Sequence, residues 1–98
     1  MRYASRVDTN HADIKRVLIR ARCAVHDTSR AGEGFPDLVV WTPFLRRIVL
    51  LEVKDGSKPP SKRALTPEQE RWHREWPGDD HFVVTSAEEA LKACGVAV

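Results

Sequence analysis

Cysteine is scarce in this chain: two residues of 98, Cys23 and Cys94, and they stand far apart. No Cys-x-x-Cys pair or Cys/His ligand spacing occurs, which argues against a zinc-built domain. Free buried thiols in a reducing compartment are the simpler account. The four histidines, His11, His26, His73 and His81, form no ligand pattern. A Gly-x-Ser-x-Gly elbow and a Gly-rich phosphate loop are also missing. No apolar run approaches the ~20 residues of a membrane span, and the basic N-terminus lacks the hydrophobic segment of a signal peptide. The expectation is a cytoplasmic protein with no membrane partner. Net charge is only +2, too little to announce nucleic-acid binding by itself.

What is present suits one small folded domain spanning residues 1–98. A hydrophobic share of 42% is ordinary, and a chain of this length buries roughly 65% of its unfolded surface. His11 to Arg22 carries Ile14, Val17, Leu18 and Ala21 at helical spacing, with a basic opposite side. Cys23 to Thr28 reads as a strand, and Ser29 to Phe35 as a Gly-containing loop. Asp37 to Thr42 and Arg47 to Val53 are rich in β-branched and aromatic residues and read as strands buried on both faces. Asp55 to Ala64 is a loop broken by Gly56, Pro59 and Pro60. Thr66-Pro67-Glu68-Gln69 is a capping box with proline at the first helical position. His81 to Thr85 is a fourth strand, and Ser86 to Glu89 a further capping box opening a helix to Ala93, with Gly95 as its stop. The order is α-β-β-β-α-β-α. The last two strands are joined through a helix and are expected to run parallel.

The chemistry gathers on the hairpin. Pro43 to Arg46 is short enough for its loop, and pairing Thr42 with Arg47 sets Val40 across from Val49 and Asp37 across from Glu52. Opposed residues on one face lie only about 5 Å apart at Cβ, so two carboxylates there repel. A divalent cation removes that repulsion, and hard oxygen ligands suit Mg²⁺, with Mn²⁺ as substitute. Glu52 and Lys54 share a face while Val53 points away. Lys54 would then stand where it can orient an attacking water or offset phosphate charge. Solvated charges at strand ends are the plain alternative, but they do not explain why both apolar strands turn charged at one edge.

Gly32-Glu33-Gly34-Phe35-Pro36-Asp37, Glu52-Val53-Lys54 and Leu65-Thr66-Pro67-Glu68-Gln69 together resemble the PD-(D/E)XK nuclease superfamily. Within it the chain looks most like the stand-alone VRR-NUC domains of phage and bacterial genomes, relatives of Holliday-junction resolvases. The likeness runs from about Val7 to Leu91. It implies a restriction-endonuclease-like α/β core with a mixed central sheet flanked by helices. It further implies that Asp37 and Glu52 bind the metal, that the Val53 carbonyl adds a ligand, and that Lys54 assists catalysis. Many members complete the site with a glutamate on the first helix. Val7 to His11 holds none, leaving Asn10 as nearest candidate, with Asp8 and Asp13 as alternatives; Asp8, Thr9 or Asn10 equally suits a helix cap. The resemblance also places a glutamine such as Gln69 near the active-site water or the phosphate.

Gln69, Trp72, His73 and Trp76 form one helical stripe, on which the two tryptophans read as core. Lys58, Lys62 and Arg63 follow the site directly and are candidate phosphate contacts. Arg2, Arg6, Lys15, Arg16, Arg20 and Arg22 add basic charge nearer the N-terminus. The expected function is Mg²⁺-dependent endonucleolytic hydrolysis of DNA, branched or junction-shaped, by a homodimer. A DNA-binding accessory module without activity, and a flap or nick nuclease of the same fold, are the alternatives.

Overall fold

Apolar residues at i, i+3 and i+7 generate the first helix, and runs of β-branched residues generate the strands that it covers. The computed structural model describes residues 9–97. Arg2, Arg6, Val7 and Asp8 lie outside them. The elements are α1 (His11–Arg20), β1 (Ala24–Asp27), β2 (Leu38–Thr42), β3 (Arg47–Val53), a short 3₁₀ turn at Pro60–Lys62, α2 (Pro67–Glu75), β4 (His81–Val84) and α3 (Ala87–Ala93). They build a small α/β fold around a four-stranded mixed sheet in the order β1-β2-β3-β4. β1, β2 and β3 are antiparallel and β4 runs parallel to β3. The hairpin register is the one expected, with Thr42 opposite Arg47 and Val40 opposite Val49.

One sheet face carries Leu38, Val40, Val49, Leu51, Val53 and Val84 into the main core with Ile14 and Leu18 of α1 and Ala90 of α3. Each fully buried aliphatic side chain there contributes about 1.5–3 kcal/mol. The other face departs from the expectation of strands buried on both sides. Leu50 and Glu52 are covered, but Trp41 is 45% and Ile48 49% exposed. The half of β3 leading to the site is therefore enclosed, and the half next to the turn is not. Trp72 is partly buried against Phe35. Trp76, expected in the core, lies at the surface, stacked on Trp72 and donating to Asp80. Cys23 and Cys94 are free and buried. Burial raises both thiols, that of Cys94 to about 12, so neither is poised as a nucleophile.

Two helix ends close in the same way with different residues. After α3, Gly95 (φ +82°) lets its N–H donate to Lys92 O and that of Val96 donate to Leu91 O. After α1, Arg22 (φ +76°) does the same for Ile19 and Leu18, which is why the helix stops at Arg20 rather than Arg22. A side chain in this left-handed region costs about 1–2 kcal/mol, whereas glycine adopts it freely. Arg22→Gly is accordingly expected to stabilise the protein by about 1 kcal/mol. Its urea midpoint should rise; an unchanged or lower midpoint contradicts the account.

Candidate active site

Asp37 immediately precedes β2, and Glu52 is the penultimate residue of β3. Extending the pairing of Leu38 with Leu51 by one step sets the two acids opposite each other. Thr28 anchors the approach, its N–H donating to Asp37 O and its hydroxyl to Pro36 O. Asp37 Oδ2 accepts the Val53 N–H at 2.9 Å. The Asp37 and Glu52 carboxyls thus face each other across the hairpin, Glu52 buried and Asp37 half-buried. Burial is the main force raising the Asp37 pKa, outweighing the Val53 N–H, the Glu52 contact and the nearby charges of His11 and Lys54. Two carboxyls in one buried place cannot both ionise cheaply without a cation.

Gln69 closes the site from α2. Its Nε2 donates to Glu52 Oε2 at 2.9 Å, and its Oε1 accepts from Lys54 Nζ at 2.9 Å. The same Oε1 accepts the Thr66 N–H, while the Gln69 N–H donates to Thr66 Oγ1. Capping and site contact are thus made by one side chain. Lys54 Nζ also lies 3.7 Å from Glu52 Oε2, with only 12% of its side chain exposed. The start of α2 is brought this close by Gly34, whose missing Cβ would stand 2.3 Å from Glu68 O.

The first helix contributes differently from expectation. Asn10 occupies the cap position of α1 but makes no side-chain cap bond. Its Nδ2 instead donates to Lys54 O and Thr85 O, both at 3.1 Å, tying α1 to the ends of β3 and β4. Thr9 does not cap either; it donates to Asp55 Oδ2 at 2.7 Å. The Ser57 and Thr9 hydroxyls hold the Asp55 carboxyl down to about 2. Asp13 is exposed and paired with Arg16. In α3 the second capping box is half formed, since Ser86 accepts the Glu89 N–H but Glu89 reaches Thr85.

The residue that sequence reasoning passed over is His11. It is buried, and its Nε2 lies 3.1 Å from Asp27 Oδ2. Asp27 also accepts from Lys15 Nζ at 2.9 Å and from Ser29. Partial burial acts against ionisation of Asp27, but the Ser29 bonds, Lys15 and His11 together hold its carboxyl far below the usual range. The signal was there: His11, Ile14 and Leu18 continue one helical stripe at i, i+3 and i+7, marking His11 as an inward-facing polar residue.

Lys58 and Lys62 are exposed on the loop leaving Lys54, and Arg63, half-buried, donates from Nε to Lys58 O. Among the described residues no three His, Cys, Asp or Glu side chains gather closely enough to hold a metal. A cation here would rest on Asp37 and Glu52. The Val53 carbonyl points to the same side of the strand as the N–H bonded to Asp37, so it faces them too. That all-oxygen set fits Mg²⁺, which binds through one or two carboxylates and keeps several waters. No helix of the described residues is long and apolar enough to cross a membrane. No family model, curated protein or solved structure matches the chain.

Proposed function

We propose that this protein is a Mg²⁺-dependent endonuclease that hydrolyses DNA phosphodiester bonds at the Asp37–Glu52 edge of the sheet, within a restriction-endonuclease-like fold. The observation that carries the reading is the placing of two carboxyls, Glu52 buried and Asp37 half-buried, opposite each other at a strand end where Lys54 and Gln69 converge. A structural ion pair would need one acid for one lysine; here a second acid stands opposite the first, and burial raises the cost of ionising it. A bound divalent cation would remove that cost and supply Lewis-acid activation of a phosphate oxygen and of water.

The chain's own residues then divide the work. Asp37 and Glu52 hold the cation, and the Val53 carbonyl adds an oxygen. Lys54 is the one cation among these side chains, suited to offset charge on the attacked phosphate. Gln69, held at the helix start by Thr66, fixes the Lys54 ammonium by accepting from it. Lys58, Lys62 and Arg63 offer sequence-independent phosphate contacts beside the site. Branched or junction DNA, cut by two copies of the chain, is the proposed substrate.

The experiment is incubation with labelled four-way junction, flap and linear duplex, with and without Mg²⁺ or Mn²⁺. The expected result is metal-dependent cutting, fastest on the branched substrate. Binding without cutting in either metal would favour an accessory DNA-binding module. Faster cutting of the flap would replace the junction as substrate.

A further inference from the structure

His73 on α2 and His81 at the start of β4 are eight residues apart in sequence, yet their Nδ1 atoms meet at 2.8 Å. Trp72 closes the pair from one side, its ring edge-on to both imidazoles at 5.1 and 5.6 Å. A neutral pair keeps this contact only when one Nδ1 carries a proton and the other does not. If both rings are protonated, two N–H groups face each other. Burial and the charge of His81 both lower the His73 pKa, so the pair favours neutral rings, the form that binds metals.

We propose that His73 and His81 form a second, nitrogen-donor cation site, selective for zinc-class ions over Mg²⁺, that ties α2 to β4. Imidazole nitrogen suits Zn²⁺, Ni²⁺ and Cu²⁺, whereas Mg²⁺ prefers oxygen. Zn–N bonds of about 2.0–2.1 Å in tetrahedral geometry place two ligand nitrogens roughly 3.3 Å apart. The rings therefore need to open by only about half an ångström, with water in the remaining positions. Gln69 lies one helical turn before His73 on the same stripe, so an ion clamping this helix to β4 also steadies the residue that touches Glu52 and Lys54. The site stands independently of any activity at the carboxylates.

The test is calorimetric titration of Zn²⁺ into the full chain with Mg²⁺ in excess, alongside His73→Gln, His81→Gln and Asp37→Asn. One equivalent is expected to bind to the parent and to Asp37→Asn alike. Loss of either imidazole should weaken it by at least about tenfold, the scale on which metal-site partners matter. Proton–nitrogen NMR supplies a second readout that does not depend on the variants folding: Zn²⁺ should shift the His73 and His81 ring resonances of the parent. Absence of binding, equal binding by the imidazole variants, or loss confined to Asp37→Asn would each overturn the proposal. So would ring shifts confined to His11 or His26.

Discussion

Asp37→Asn is expected to abolish metal-dependent DNA cutting and, in the metal-free protein, to raise the melting temperature. Asparagine keeps an oxygen for the Val53 N–H. Its amide N–H₂ can donate toward Glu52, which faces it across the hairpin, and it carries no charge to desolvate. The sign follows from the raised pKa of Asp37. An aspartate whose folded pKa lies above its unfolded value of about 3.9 binds its proton more tightly when folded. Its contribution to stability is then fully favourable below the unfolded pKa and declines as pH rises through the folded pKa. Asparagine does not titrate, so the gain should appear in melts near pH 8 and vanish near pH 3. Lys54→Ala should also stop cutting, by about 10²–10³-fold, the scale for losing one preorganised charge-stabilising donor. Retained cutting in Asp37→Asn would remove this aspartate from the chemistry. Destabilisation of that variant at every pH would show the carboxyl pair to be a structural element instead.

Gly34→Ala is expected to cause the largest loss of stability of any single methyl addition among the glycines of the 28–36 loop. Gly34 has φ +79°, and a Cβ there would meet Glu68 O at 2.3 Å, Glu68 C at 2.6 Å and Gln69 N at 2.9 Å. These are backbone atoms of the first turn of α2, which cannot rotate aside. The left-handed conformation costs about 1–2 kcal/mol, and pushing the helix away adds about 1–3 kcal/mol of overpacking. Gly32 provides the control: its φ is +81°, but its Cβ would meet nothing within 4 Å. Gly32→Ala should therefore lose only the conformational part, about 1–2 kcal/mol. Because Gln69 sits at the point of collision, Gly34→Ala should also lower cleavage by more than its stability loss explains. Urea unfolding of both variants at matched conditions decides it. Equal losses would mean that the close approach to α2 carries no energetic weight.

The same glycine marks the boundary of what the chain reveals on inspection. A run of β-branched and apolar residues located β3 residue for residue, and the turn length set the Thr42–Arg47 register, because these are local preferences. The parallel docking of β4 followed from chain connectivity. The Thr66–Gln69 capping box was equally legible, being a contact across three residues. Burial on the second sheet face was not, since Trp41 and Ile48 look as apolar as Val40 and Val49. Only the placement of α2 over one end of the sheet leaves those two side chains uncovered.

The candidate site divides along the same line. Asp37, Glu52, Lys54 and Gln69 were legible because hairpin register and helix phase bring each to the right face. The first helix was legible only in part: Asn10 donates to strand-end carbonyls, and His11 is the buried residue that meets Asp27. Which of two adjacent polar residues faces inward depends on how α1 is rotated against β1 and α3. Helical phase narrows that rotation, but the packed core sets it. His73 and His81 likewise become neighbours only when α2 folds back onto β4. Spacing along the chain thus determined the strands, the caps and the acidic edge, where the interactions are short-range. The partners of His11, the histidine pair and the exposed half of the sheet were decided by tertiary packing, because each depends on the angle at which one element crosses another.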